Sequence, residues 1–442
     1  MFRTIIDAFK VKEIRKKILL TLLFLFIYRV GCWIPCIGLD KSFMLGDLKT
    51  AESLGFFELM NMMSGGALSQ GSILALGVSP YITSSIVIQL LAVAIPSLQR
   101  LTKSGEEGRR KINLYTRIVA LVLAVAQSIG IVVGYASQGV LDANLTSFMP
   151  DWIVGAGVVI TMVAGSMFTV WLGERITDLG IGNGSSLLIF VGILSTASKS
   201  IFEIIRAAFK NPVYIWYIVI FIAVLVLIFS FIVWMDGGER KVHIQYAKQI
   251  RGRKIYGGQS NHIPIKVNAT GVMPIILAST LLTFPQLIIS IFWPTSTWYS
   301  TYLGTNSWLY IVLTAVFILL FAFFYSKITF DPDDVAKRIQ QQGGFLQGIR
   351  PGKQTAEHLG KISNRITIFG AILLAIIALI PSLAFKGIGL VAGTGTDAVA
   401  VSSMLINAFS VTGLMIAVSV ALELEKQLSA QMFMRNHKGF LN

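Results

Sequence analysis

Charge is scarce in this chain. Of its 442 residues only 13% are Asp, Glu, Lys or Arg and 54% are hydrophobic, whereas a soluble globular domain carries about 25% charged residues. A soluble fold is thereby excluded, and the composition is that of a polytopic membrane protein. Cysteine is scarcer still. Cys32 and Cys36 are the only two, one helical turn apart at the end of the first apolar run, with no His or carboxylate spaced to complete a metal site. They read as small apolar fillers. The four histidines, His243, His262, His358 and His437, fall in polar loops and do not cluster, so neither a metal nor another cofactor is expected. No Ser, His and acid set shares one depth, which argues against an enzyme.

Carboxylates are also missing from the membrane midplane, where a proton- or sodium-coupled carrier would need them. Glu58 lies in a polar segment, Glu174 and Asp178 at a turn, and Glu423 and Glu425 where the last apolar run ends. An inverted-repeat solute transporter, the alternative membrane reading, is weakened accordingly. Arg29 is the exception inside an apolar run. It either snorkels outward or pairs with a neighbouring segment.

What the chain does have is long hydrophobic runs. About 20 apolar residues cross about 30 Å of hydrocarbon, and by that rule spans fall near 18–37, 72–95, 115–136, 152–172, 184–202, 212–235, 269–293, 307–327, 365–384 and 402–421. No small-residue cleavage site follows the first run, so it reads as a span and not as a signal peptide. The loops that share a side with the N-terminus hold 30 of the 37 Lys and Arg, and the opposite loops hold 6. This skew predicts that both termini are cytoplasmic. It also accounts for the net charge of +15 without DNA. Residues 1–17 are basic, with apolar residues at helical spacing, and read as an amphipathic segment on the anionic leaflet or as a solvated tail.

The fold expected is all-α and polytopic. It has ten transmembrane helices in two halves, 18–202 and 212–421, joined by an external hinge loop at 203–211, with a cytoplasmic tail at 422–442. Five spans per half make the halves inverted. The stretch 59–91 begins like a span but opens with Asn61, Ser64, Gly65, Gly66, Ser69 and Gln70, too small and polar to face lipid, and is expected to tuck inside protein. Within it, Gly77-Val78-Ser79-Pro80-Tyr81-Ile82 recurs as Gly271-Val272-Met273-Pro274-Ile275-Ile276. Interrupted apolar segments at matching places in two halves point to a central pathway, although so short a repeat can arise by chance.

Two cytoplasmic loops, 236–266 and 328–365, carry order signals. Val242, Ile244 and Tyr246, then Ile263, Ile265 and Val267, alternate as in a β-hairpin, whose tip bears Arg251, Arg253 and Lys254. Asp331 before Pro332 starts a helix and Gly343-Gly344 stops it. The Pro351-Gly352-Lys353-Gln354-Thr355 piece fails the spacing of a phosphate loop. At midplane depth the chain offers aliphatics, chiefly Ile82, Ile86, Ile189 and Ile276, and on periodicity alone ordinary helix packing explains them.

Five ordered motifs run the length of the chain: the segment 59–91 with Ser79-Pro80-Tyr81-Ile82 and Gln89-Leu90-Leu91; Glu106-Glu107-Gly108-Arg109-Arg110-Lys111-Ile112; Gly173-Glu174-Arg175-Ile176 with Gly180-Ile181-Gly182-Asn183-Gly184; Gln259-Ser260 with Pro264-Ile265-Lys266-Val267-Asn268; and Gly348-Ile349-Arg350-Pro351-Gly352. Together they resemble the SecY family in its bacterial form, the channel-forming subunits of the Sec protein translocon. The resemblance implies a protein-conducting channel in the bacterial plasma membrane that opens sideways between spans two and three and spans seven and eight. Signal peptides and unfolded secretory chains would be its substrates. It implies a constriction ring of Ile82, Ile86, Ser185, Ile189, Ile276 and Ile416, and a plug over about 58–70 that includes Glu58. Ser185 departs from the aliphatic choice usual there, which would leave the seal incomplete unless a neighbour substitutes. Arg253, Lys254 and Arg350 match positions that contact the SecA ATPase or a translating ribosome. SecE and SecG would be the small membrane partners, and anionic lipid a further contact.

Overall fold

A computed structural model describes residues 9–40, 60–61, 63–137, 141, 149–210, 214–246, 249–251, 254–256, 260–268, 271, 273–292, 302, 307–391 and 411–438. The fold is all-α apart from small sheets, and every expected span overlaps a helix: α1 Lys12–Gly31, α2 Ser79–Ala94, α4 Gly105–Ser137, α5 Asp151–Leu179, α6 Gly184–Lys210, α7 Tyr214–Gly237, α8 Met273–Phe292, α9 Trp308–Thr329, α11 Lys353–Val391 and α12 Val411–Lys438. Short helices α3 Pro96–Lys103 and α10 Pro332–Gln341 lie between them. Among the described residues, Gly105–Ala136, Asp151–Leu179, Trp308–Gln341 and Lys353–Ile380 are long and apolar enough to cross a bilayer.

Three boundaries differ from expectation, each for a local reason. The first helix already begins at Lys12 and stops at Gly31, because Pro35 cannot continue it. The chain there turns back, with Pro35 bridged to Ser72 and the Ile73 amide donating to the Ile34 carbonyl at 2.9 Å. The second helix starts only at Ser79, since residues 64–78 form a series of turns. It ends at Ala94, and extended Ile95 redirects the chain into α3 at 111°.

The chain divides into two compact units. The first comprises Met1–Ile218, Thr280–Tyr310 and Phe385–Asn442. Its core joins the turn after the first helix, the 60–76 segment, α4 and α5 through Cys36, Leu68, Leu76, Ile131, Val158 and Met162. A smaller cluster of Ile14, Ile181 and Leu428 ties α1 to the turn before α6 and to α12.

The second unit comprises Val219–Ser279 and Ile311–Ala384. The expected hairpin is present, with β1 Glu239–Tyr246 antiparallel to β4 Ser260–Lys266 and Val242 opposite Ile263. Nested inside are β2 Gln249–Arg251 and β3 Lys254–Tyr256, paired antiparallel. Sequence reading did not find that β5, Gly344–Phe345, adds to the free edge of β1 in a three-stranded sheet. The loops 236–266 and 328–365 therefore fold as one body over a shared core of Val242, Ile244, Ile265, Ile339, Leu346 and Leu359. Gly344 is where the stop signal turns into a strand: a Cβ there would press on Ile339, Ile244 and Tyr246 at 3.0–3.1 Å.

The Asp331 side chain caps α10 as expected, accepting from the amides of Asp333 at 3.1 Å and Asp334 at 3.5 Å. Replacing it by Ala forfeits about 1 kcal/mol of helix stability. Hydrogen exchange should accordingly show the amides of residues 333–341 losing protection by about fivefold, with α11 unchanged.

Candidate functional site

Backbone that leaves the helical ladder inside a membrane must find its hydrogen bonds elsewhere, and residues 60–78 find theirs within protein. The turn at Gly65 and Gly66 needs left-handed backbone, φ +72° and +83°, which costs an L-residue about 1–2 kcal/mol. Asn61 organises the turn. Its carbonyl accepts the Gly66 amide at 2.8 Å, and its side-chain oxygen accepts the Ser69 amide at 2.9 Å. Ser64 donates to the Asn61 carbonyl at 3.1 Å, and Ser69 to the Gly66 carbonyl at 2.9 Å. The small polar residues that looked unfit for lipid are thus spent on closing their own turns.

The surrounding helices complete the accounting. From α1, Arg29 Nη1 donates to the Gly65 carbonyl at 3.2 Å, and the Tyr28 hydroxyl to the Ser64 carbonyl at 3.4 Å. Arg29 therefore pairs with a neighbouring segment and does not snorkel outward. From α4, the Tyr135 hydroxyl donates to the Leu68 carbonyl at 2.9 Å, and from α5 Ser166 donates to the Gly77 carbonyl at 3.2 Å. Cys32 and Cys36 are free and buried, the Cys32 thiol 3.7 Å from the Ser64 carbonyl oxygen.

The fit against α6 is backbone on backbone. A Cβ on Gly65 would lie 2.9 Å from the Gly192 Cα, and one on Gly192 would lie 2.5 Å from the Met63 carbonyl oxygen. Gly165 of α5 similarly admits the Ile73 carbonyl. One group is left out: the wholly buried Ser72 hydroxyl has no hydrogen-bond partner, a cost of about 1–3 kcal/mol. Of the segment's polar residues Gln70 corrects the expectation, for it is exposed. Glu58 lies outside the described residues.

The two copies of the hexapeptide share their glycine turn and their helix start. Gly77 and Gly271 both have left-handed backbone, φ +53° and +61°, and two residues later α2 and α8 begin with Pro80 and Pro274 in their first turns. Proline's fixed φ suits that position and its missing amide is not needed there. So alike a turn-to-helix junction argues against chance.

Of the aliphatic candidates in the first unit, Ile86, Ile189 and Ile416 are buried at 5%, 6% and 4% exposure, while Ile82 and Ser185 are half-buried. Ile189 precedes Gly192 by three residues and so shares a face of α6 with the contact to Met63 and Gly65. The α5 to α6 turn that positions them is tight: a Cβ on Gly184 would collide with the Gly173 carbonyl, and Gly182 has φ +87°. Ser185 sits in the first turn of α6, its hydroxyl donating to Asn183 Oδ1 at 2.7 Å and its amide at 3.2 Å. Its polar atom is thereby occupied in capping. Ile276 lies in the first turn of α8, in the second unit, half-buried. Arg251 and Lys254 are cross-strand partners closing the small hairpin. Arg253 lies outside the described residues. Arg350 is exposed between Gly348 and Gly352, both left-handed at φ +80° and +99°, and its carbonyl accepts the Thr355 hydroxyl at 2.9 Å.

Sequence reading missed Tyr28 and Gly192 as parts of this site. It also missed the two-point bond of Arg117 on α4 to Glu174 on α5, both contacts 2.7 Å. The Gly173-Glu174-Arg175-Ile176 motif was the available signal for that pair, but nothing in it specified the partner.

The sequence pattern of the SecY family matches residues 72–424. A protein translocase subunit SecY from Streptomyces lividans is 39% identical over 452 residues, covering 100% of both chains. Among solved structures, one described as a protein conducting channel superposes with a TM-score of 0.66 at 18% identity, covering 95% of this chain and 92% of that one. A second, in which the plug domain of SecY is said to stabilise the closed state of the translocation channel and maintain a membrane seal, gives 0.62 at 17%, with the same coverage of 95% and 92%.

Placing Ala at Gly192 puts a methyl group where the Met63 carbonyl now rests. Hydrogen exchange should then show the amides of residues 63–69 losing protection by about tenfold or more, while α4 and α5 keep theirs.

Proposed function

The chain belongs to the SecY family, and on that premise we propose that it is the protein-conducting channel subunit through which unfolded secretory polypeptides cross the membrane and membrane segments leave sideways into it. The observation that carries the reading is the buried, glycine-turned segment at 60–78, held by hydrogen bonds from α1, α4 and α5. A lipid-facing span has no use for such backbone, whereas a stopper in a pore does. Its four left-handed glycines, Gly65, Gly66, Gly71 and Gly77, make it a poor helix former, and the unpartnered Ser72 hydroxyl lowers the cost of unseating it.

Ile82, Ile86, Ser185, Ile189, Ile276 and Ile416 form the constriction in this reading. Aliphatic side chains hold no ion, favour a dewetted gap when closed, and yield around a passing chain whatever its sequence. The capped hydroxyl of Ser185 supports its place in such a ring. The plug comprises residues 58–70. Nothing in this cycle asks the chain for bond chemistry, so we assign it no catalytic role.

The composite cytoplasmic body of hairpin and second loop presents Arg251, Arg253, Lys254 and Arg350 to the driving partner, the SecA ATPase or a translating ribosome. Basic tips suit ribosomal RNA and anionic lipid alike. SecE and SecG are the membrane subunits we assign to it, and the skew of 30 of 37 Lys and Arg to one side supports a bacterial plasma membrane location with both termini cytoplasmic.

Two measurements test the reading. Asn at Ile276 or Ile416 should loosen the ring, so that precursors with defective signal sequences are exported several-fold better; unchanged stringency in both would remove the ring. Arg350→Glu should cut export of normal precursors at least tenfold while the chain still inserts and holds its small partners. Export at the parental rate would remove the partner role of that loop.

A further inference from the structure

Arg29 is a formal charge inside a membrane helix, an expensive placement that marks function by default. Among the described residues its hydrogen bond goes to no carboxylate but to the backbone carbonyl of Gly65, at 3.2 Å. That carbonyl is available because left-handed backbone at Gly65, φ +72°, turns it out of any helical ladder. The neighbouring Ser64 carbonyl receives the Tyr28 hydroxyl at 3.4 Å and lies 3.7 Å from the Cys32 thiol. Residues 28 and 32 are one turn apart and residue 29 adjoins them. One face of α1 therefore gathers two consecutive plug carbonyls.

We infer that Arg29 is the latch of the resting channel, a positioning residue that holds the plug by its backbone through the Gly65 carbonyl. The inference rests on the plug reading above and adds the group that controls its release. A guanidinium bonded to a carbonyl is stronger than a neutral hydrogen bond but weaker than a buried ion pair. It seals at rest, and an arriving chain can break it. Because the bond is to main chain, the latch tolerates change in plug side chains, with Gly65 the exception. A Cβ at Gly65 would strike both Arg29 Nη1 and the Gly192 backbone, so this glycine is the keyhole for the arginine.

Cys32 is a native reporter, because it is 1% exposed beneath the plug. The experiment uses the full chain, with its small membrane partners, reconstituted in vesicles and carrying Cys36→Ala so that Cys32 is the only thiol. Two rates are read at rest: alkylation of Cys32 by a small water-soluble maleimide, and chloride leak. Arg29→Met should raise both by about tenfold or more, the loss expected from one charge-assisted bond, while a polypeptide precursor is still transported. Arg29→Lys, which keeps a donor but not the fork, should fall between. Gly65→Ala, which leaves the charge and displaces the carbonyl, should leak like Arg29→Met, and it decides the matter if Arg29→Met fails to accumulate. Parental alkylation and leak rates in these variants would overturn the latch. Failure of the unaltered chain to transport any precursor would instead overturn the channel reading.

Discussion

Every main-chain amide and carbonyl within a bilayer needs a partner in the protein, and this requirement governs the first unit. Regular helices meet it by themselves. The irregular segment from 60 to 78 cannot, so its neighbours are built around its needs. Tyr28 and Arg29 on α1, Tyr135 on α4 and Ser166 on α5 each send a polar atom to one of its carbonyls. Gly192 on α6 and Gly165 on α5 give up their side chains so that its backbone can come close. A stretch of main chain without secondary structure is thus held as specifically as a helix, yet by bonds that are individually modest.

Each bond from the surrounding helices is one hydrogen bond, worth about 0.5–1.5 kcal/mol when neutral and about 1.5–3 when charged. Against them stands the unpartnered Ser72 hydroxyl, while Gly65 and Gly66 take their left-handed backbone without strain. The helical frame has no such softness. Its α4–α5 pair is closed by the two-point bond of Arg117 to Glu174 and by apolar contacts around Ile131, Val158 and Met162. The helical frame and the irregular segment within it are therefore held by different interactions.

The second unit shows the same economy with a different solution. A hairpin alone is marginal in water. Here β5 of the later loop pairs with β1, α10 packs beneath, and Ile339, Leu346 and Leu359 share a core with Val242, Ile244 and Ile265. At its base Asn268 Nδ2 donates to Asp236 Oδ1 at 2.7 Å, and Gly370 of α11 admits the Val267 carbonyl. The small β2–β3 hairpin thus grows from a body with its own apolar centre.

Sequence alone determined the membrane class, the positions of the helices, the hairpin, the cap at Asp331 and the unusual character of residues 59–91, because hydrophobic period, proline and glycine act over a few residues. The repeated hexapeptide was legible for the same reason, and its two copies fold alike. Tertiary structure decided what local pattern does not encode: that Pro35 beyond α1 meets Ser72, that Gly344 becomes a strand, that Ser185 spends its hydroxyl on Asn183, and that Arg29 faces Gly65. Each of these is a contact between residues far apart in the chain or a choice among several local partners. Only the packed fold, by bringing one donor to one carbonyl and leaving no room for a Cβ, selects among them.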